Sequence, residues 1–230
     1  MELSPEIATR LQTVAIQFVP FVMAVVFHEY AHGFIAYKYG DKTAYEQGRM
    51  TLNPVPHIDP LGTIVFPLLG MLSGISFLFG WAKPVPINPT RFKEYRKGLF
   101  WVSLAGAGMN FLLAIVSSMA YCALRAWAPA DFYLYEPLLG MCVASITLNF
   151  ALGIFNLIPI PPLDGSKVVQ SFLPYEAARK YESIAQYSFF IVMALLISGA
   201  FQILAYPVLF LSKATLTLMA LLFNLPVEIG

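Results

Sequence analysis

The sequence predicts an all-α membrane protein, a polytopic bundle of about five to six transmembrane helices joined by short extended or re-entrant segments. Three observations predict it. The 230 residues are 58% hydrophobic and only 12% charged, and the mean hydropathy of +0.69 lies beyond what water-soluble domains carry. Apolar runs of the length a bilayer demands, on the order of 20 residues, occur at 11–37, 99–127, 134–158 and 184–206. The polar connections between them alternate in basic content, the pattern of cytoplasmic and external loops.

Taken in order, the N-terminal Met1 to Arg10 carries Glu2 and Glu6 and lacks the basic region and cleavage site of a secretory signal, so the first apolar run is expected to be retained. The 61–81 stretch is apolar but broken by Pro67, Gly70, Gly74 and Gly80. Its flanks are both basic: Lys38, Lys42 and Arg49 before it, and Lys83, Arg91, Lys93, Arg96 and Lys97 after it. Two cytoplasmic flanks conflict with a single crossing, and a re-entrant hairpin resolves the conflict. A full crossing followed by an inward-dipping 82–90 segment is the alternative. Asp131 and Glu136 mark the next loop as external, whereas Lys167, Arg179 and Lys180 return 164–182 to the cytoplasm. The 207–225 stretch is apolar but holds Lys213, so its crossing is ambiguous. Two Pro-rich stretches, 53–57 and 83–89, read as extended chain, because Pro disfavours helix at its own position and the one before. With no repeat and no polar stretch long enough for a separate unit, 1–230 reads as a single domain.

A formal net charge of +1 gives no basic surface for nucleic acid. Cys122 and Cys142 both lie in apolar runs and read as small hydrophobic side chains. The chemistry concentrates in the first run, at Phe27-His28-Glu29-Tyr30-Ala31-His32-Gly33. On a helix, positions i and i+4 share a face, so both imidazoles reach one metal ion while the Glu between them addresses a water beside it. Ionisable groups within hydrocarbon cost roughly 2.5–3.5 kcal/mol each for the charged types, so three in five residues call for a compensating partner.

A catalytic zinc site takes three protein ligands and keeps one open position. The chain has three histidines, so the third ligand is either His57 or a carboxylate near a span end. Asp164 stands out in Asn156-Leu157-Ile158-Pro159-Ile160-Pro161-Pro162-Leu163-Asp164-Gly165. It follows an apolar run, sits behind prolines that break the helix, and precedes a Gly that permits close backbone approach. The loop charges place it toward the cytoplasmic leaflet, where the run bearing His28 and His32 also ends.

With His28-Glu29-x-x-His32, the Gly106-x-x-x-Asn110 region and the Asn156 to Gly165 pattern in this order, the chain resembles the site-2 proteases, intramembrane zinc metalloproteases. The resemblance covers roughly residues 20 to 175. Asn53 to Gly62 and Gly80 to Pro89 look like the compact bacterial and archaeal members that lack an inserted PDZ domain. One departure is Ala107, where the family usually has Pro after its Gly. The resemblance implies zinc held by His28, His32 and Asp164, Glu29 as general base, and cleavage of a transmembrane protein in the lipid bilayer, often after a first cut by another protease. It also implies a multi-pass protein of a prokaryotic cell membrane. Asn110, Asn156 and His57 are the donors available to a developing oxyanion, with Asn110 first by resemblance. The extended segments near 48–58 and 82–90 are expected to pair with an unwound substrate as an added strand.

Blander readings stand beside these. His57 also reads as a loop histidine before Asp59-Pro60, Asn149 as interhelical glue worth on the order of 0.6 kcal/mol, and Gly106 and Gly108 as close-packing positions. Trp81, Trp101 and Trp127 fall near span ends as belt residues. The main functional alternative is a transporter or channel with an intramembrane His-Glu site, though such a site has no need of Leu163-Asp164-Gly165. A diiron lipid enzyme needs many more histidines. A silent scaffold, or a protease with a ligating Glu such as Glu176 or Glu182, has less in its favour.

Overall fold

The computed structural model describes residues 5–73 and 80–226. Among the described residues there is no strand, and four helices are long and apolar enough to cross a membrane: Thr9–Lys38, Tyr95–Trp127, Tyr135–Asn156 and Gln202–Leu222. The helices in chain order are α1 (Pro5–Lys38), α2 (Thr43–Glu46), α3 (Phe66–Ser73), α4 (Tyr95–Trp127) and α5 (Tyr135–Asn156). They continue as α6 (Asp164–Phe172), α7 (Tyr175–Glu182), α8 (Ser188–Ile197) and α9 (Ala205–Leu222).

The helices α1, α4 and α5 pack on one another, with α6 against α4 and α9 against α4 and α5. Ala114 of α4, Ile146 and Phe150 of α5 and Val208 of α9 form one buried cluster. Ala36, Val102 and Phe92 form a second, against which Ile87 packs. In lipid these contacts gain little from hydrophobicity, so close packing and buried hydrogen bonds set the arrangement.

The ends of the 61–81 stretch meet. Asp59 caps a π-helical turn at Pro60–Val65 by accepting from the Leu61 and Gly62 N–H groups, and α3 continues from it. On the return, the Trp81 N–H donates to the Gly62 carbonyl at 3.0 Å and the Lys83 N–H to that of His57 at 2.9 Å. The two ends of the stretch therefore lie side by side, an arrangement compatible with the re-entrant hairpin. The residues connecting α3 to Gly80 lie outside the described residues, Gly74 of the sequence reading among them.

Three expectations change. The 184–206 run is not one helix: a 3₁₀ turn at Ser183–Tyr187 leads into α8, which ends before Gly199 (φ +73°), and the chain restarts through Ala200–Leu204 into α9. A left-handed residue ends a helix whatever its hydrophobicity, and the apolar character continues unbroken across it. The ambiguous Lys213 stretch instead belongs to a long apolar helix. Of the two Pro-rich stretches, residues 82–88 are free of helix, whereas Val55–His57 forms a 3₁₀ turn.

Candidate metal centre

Two elements bring three side chains to one point. His28 and His32 come from successive turns of α1, and Asp164 is the first residue of α6. The Nε2 atoms of His28 and His32 lie 3.0 Å apart, and Asp164 Oδ2 lies 3.2 Å from the first and 3.1 Å from the second. His32 is buried, and the His28 and Asp164 side chains are 12% and 18% exposed.

The partners of the other ring nitrogens decide what these atoms are. His32 Nδ1 lies 2.7 Å from the Val102 carbonyl, which only accepts, so the proton sits on Nδ1. His28 Nδ1 lies 2.6 Å from Asn110 Oδ1. The Asn110 amide nitrogen donates to the Ala24 carbonyl at 3.3 Å and to Asn149 Oδ1 at 2.8 Å, which turns its oxygen toward His28 and fixes the same tautomer there. Both Nε2 atoms therefore direct lone pairs at each other and at a carboxylate. Three electron pairs meeting within 3.2 Å repel unless a cation lies among them. A tetrahedral zinc with bonds of ~2.0–2.1 Å spaces its ligands about 3.3 Å apart, so donor chemistry and spacing both fit that ion. Holding each imidazole by its remote N–H is the usual way a protein orients metal-binding histidines.

The local chain explains the convergence. An ideal Cβ at position 106 would stand 2.5 Å from Nε2 of both histidines, so α4 can approach α1 here only with glycine. One turn earlier on α4 is the Val102 carbonyl that takes the His32 proton. At the other side Leu163 is extended (φ −67°, ψ 154°) before α6 begins. The Ser166 hydroxyl donates back to the Leu163 carbonyl at 2.7 Å, and the Tyr181 hydroxyl from α7 donates to that of Pro159. A Cβ on Gly165 would overlap the carbonyls of Leu157 and Ile158, so the tight crossing that presents Asp164 depends on that glycine.

Glu29 lies one residue from His28, and its Oε2 accepts the Val85 N–H at 2.7 Å. Asp41, fully buried, accepts the N–H of Asn88 at 2.6 Å and that of Thr43 at 3.0 Å. The extended 82–88 segment is thus tied to α1 at Glu29 and to the turn after α1 at Asp41. A cavity of about 290 Å³ opens beside Glu29 and His28, walled by Trp81, Asn156, Leu163 and Val192 among others. Trp81, Val85 and Lys83 turn their N–H groups to Gly62, Glu29 and His57. They alternate with Ala82, Pro84 and Pro86, and the two prolines have no N–H, so the outer edge lacks the donors of a full ladder. Arg49 also occupies the carbonyls of Lys83 and Pro84 at 2.8 and 3.1 Å. Strand addition along this segment is therefore more restricted than the sequence led us to expect.

The structure brings His28, His32 and Asp164 together and sets Glu29 beside them. Asn110 is not placed to meet an oxyanion: it is fully buried, behind His28, and both amide protons are committed. His57 is also away from the cavity wall, buried, with Nε2 donating to the Thr51 carbonyl at 2.9 Å. Asn156 does line the cavity, donating one amide proton to the Leu152 carbonyl at 3.0 Å. Sequence reasoning missed Asp41, whose Asp-x-Thr spacing is an Asx-turn signal. It also missed the Val102 carbonyl and the Val85 N–H, which no side-chain pattern marks.

Comparison with known proteins places the chain among metalloproteases by sequence. The profile of peptidase family M50 matches residues 133–199. A protein of Bacillus subtilis (strain 168) named as a candidate zinc metalloprotease, YwhC, is 34% identical over 189 residues, 82% of this chain and 83% of the relative. Rip2 of Mycolicibacterium smegmatis, named likewise, is 31% identical over 78% of this chain and 65% of its own length. Rip2 of Mycobacterium tuberculosis (H37Rv) is 26% identical over 77% of this chain and 64% of its own length. The chain thus spans under two thirds of both Rip2 proteins. No solved structure matches it.

Proposed function

The chain belongs to peptidase family M50, intramembrane zinc metalloproteases, and from that premise we propose that it hydrolyses peptide bonds within or beside the membrane-spanning segments of other membrane proteins. His28, His32 and Asp164 hold the zinc, and Glu29 is the base. The observation that supports this assignment is the meeting of two bare imidazole nitrogens and a carboxylate oxygen within 3.2 Å. When bound, zinc acidifies a water and polarises the scissile carbonyl.

The chain's own residues supply the rest. Glu29 takes the proton of the attacking water and returns it to the leaving amine, and the Val85 N–H holds its carboxylate at the cavity wall. Of the three donors the sequence offered for the oxyanion, Asn156 is the one that lines the cavity, with an amide proton to spare. Asn110 orients His28, and His57 ties the 51–57 loop to the return segment. The substrate helix unwinds before it enters, because its carbonyls are otherwise engaged in its own hydrogen bonds. The bacterial relatives and the four apolar helices support a multi-pass protein of a prokaryotic cell membrane. A conduction role finds no support in relatives named as metalloproteases.

The test is elemental analysis of the detergent-purified chain together with cleavage of a membrane-spanning model substrate. About one zinc per chain is expected, lost in His32→Ala and Asp164→Ala. Glu29→Gln should keep the metal and lose ~10²–10⁴-fold in turnover. Zinc retained in both ligand variants, or wild-type cleavage by Glu29→Gln, would overturn the assignment.

A further inference from the structure

The face of α4 turned away from the metal centre carries a second feature. Gly106 faces His28 and His32, and Gly108, two residues on, is rotated about 200° round the helix. A Cβ there would meet nothing within 4 Å. Gly108 lies in an apolar groove of about 370 Å³ bordered by Trp101, Leu104, Phe111, Ile35 and Leu157. At the groove's head a second cavity, also about 370 Å³, is lined by Arg96, Lys97, Ser171 and Phe172 with Phe100 and the same Trp101. Lys97, Trp101, Leu104, Gly108 and Phe111 follow the three-and-four spacing of one helical stripe, so the two cavities form one channel. Its length from Lys97 to Phe111 is roughly 21 Å at about 1.5 Å per residue.

We propose that this channel binds one anionic phospholipid, its phosphate at Arg96 and Lys97 and one acyl chain laid past Trp101 over Gly108. Charge complementarity selects the headgroup. Among the described residues Arg96 pairs with no carboxylate and donates only to the Leu173 carbonyl at 3.3 Å. Lys97 shares Glu94 at 2.6 Å, but both side chains are more than half exposed, where such a pair is worth little. Trp101, 52% exposed, stands where the basic head gives way to the apolar groove, the position of an interfacial aromatic. The groove from Trp101 to Phe111, roughly 15 Å at about 1.5 Å per residue, holds the part of an acyl chain nearest the head, and its place opposite the metal centre sets it apart from the path of a scissile segment.

The experiment uses the full chain, delipidated in neutral detergent and titrated in native mass spectrometry with phosphatidylglycerol or phosphatidylcholine of the same acyl chains. The wild type should retain one phosphatidylglycerol in preference to phosphatidylcholine, and millimolar inorganic phosphate should not displace it. Removing both charges in Arg96→Gln/Lys97→Gln should weaken phosphatidylglycerol about 25-fold, near fivefold per charge, and weaken phosphatidylcholine, whose phosphate is balanced by its own choline, by less, so that the preference between the two is lost. Gly108→Leu, which plugs the groove, should weaken both lipids. Zinc content and melting temperature report the fold, and the two sets of variants are independent, so loss of one leaves the other to decide. Equal retention of the two lipids, displacement by phosphate, or wild-type lipid binding in a folded variant would overturn the proposal. So would a Gly108→Leu variant that binds lipid normally but no longer captures a membrane-spanning substrate peptide, which would give the groove to the substrate.

Discussion

Substituting Gly106 by alanine adds one methyl group where α4 crosses α1 beside the two histidines. Its carbon would stand 2.5 Å from the donor nitrogens of His28 and His32, where ordinary contact is about 3.5 Å or more, so each ring must withdraw by roughly 1 Å or α4 must move bodily. Neither is easy. The rings are held from behind by Val102 and Asn110, and α4 packs against α1, α5, α6 and α9. Overpacking of a closed interface costs about 1–3 kcal/mol, and with both ligands displaced we expect that cost to fall on metal binding. Zinc affinity should drop ~5- to 150-fold, measured by competition with a chromophoric chelator on the solubilised protein. Gly108→Ala is the control, since its added carbon has no neighbour within 4 Å and should leave affinity unchanged. Wild-type zinc affinity in a folded Gly106→Ala chain would refute the claim that this glycine sets the approach of α4 to the ligands.

Other outcomes follow from the same geometry. Asn110→Leu removes the acceptor of the His28 Nδ1 proton and should weaken zinc binding ~10–100-fold, read by the same competition. Val85→Pro keeps an extended backbone but deletes the N–H on Glu29; turnover should fall about tenfold or more with zinc content unchanged, the mark of a mispositioned base. Stripping the metal with a chelator should lower the melting temperature, since a ligand at 1,000 times its Kd stabilises the folded chain by ~4 kcal/mol. A chelator-insensitive melting temperature would show that the three ligands are held together without an ion.

Much of the site was legible because its chemistry is costly where it stands. A histidine pair and a glutamate in an apolar run need a reason, and Asp164 behind its prolines is the carboxylate best placed to supply one. The charge of its two basic flanks favoured a return of 61–81 to one side, and the hydrogen bonds from Trp81 and Lys83 back to Gly62 and His57 bring the two ends of that stretch together. What stayed hidden was of two kinds. Gly199 interrupts the 184–206 run through a backbone angle, and the hydropathy on either side of it does not change. The orienting partners of the site are a carbonyl, an amide N–H and a buried asparagine relay from His28 through Asn110 to Asn149, which bonds the Ser145 carbonyl at 2.9 Å and its hydroxyl at 3.2 Å. An asparagine in a span reads equally as glue or as a donor at the site. For Asn110 the geometry makes it neither simple glue nor an oxyanion donor, because both protons already have partners.

The ligands lie far apart in sequence: His32 and Asp164 are 132 residues apart. During synthesis at ~5–20 residues per second, α1 emerges with its histidines several seconds to nearly half a minute before the carboxylate that closes the site. For that interval the nascent chain carries the candidate ligands His28 and His32 and the candidate base Glu29 without the third ligand, even after α4 (Tyr95–Trp127) has been made. A centre divided in this way stays incomplete until α6 has been made, so the order of the chain itself delays its assembly.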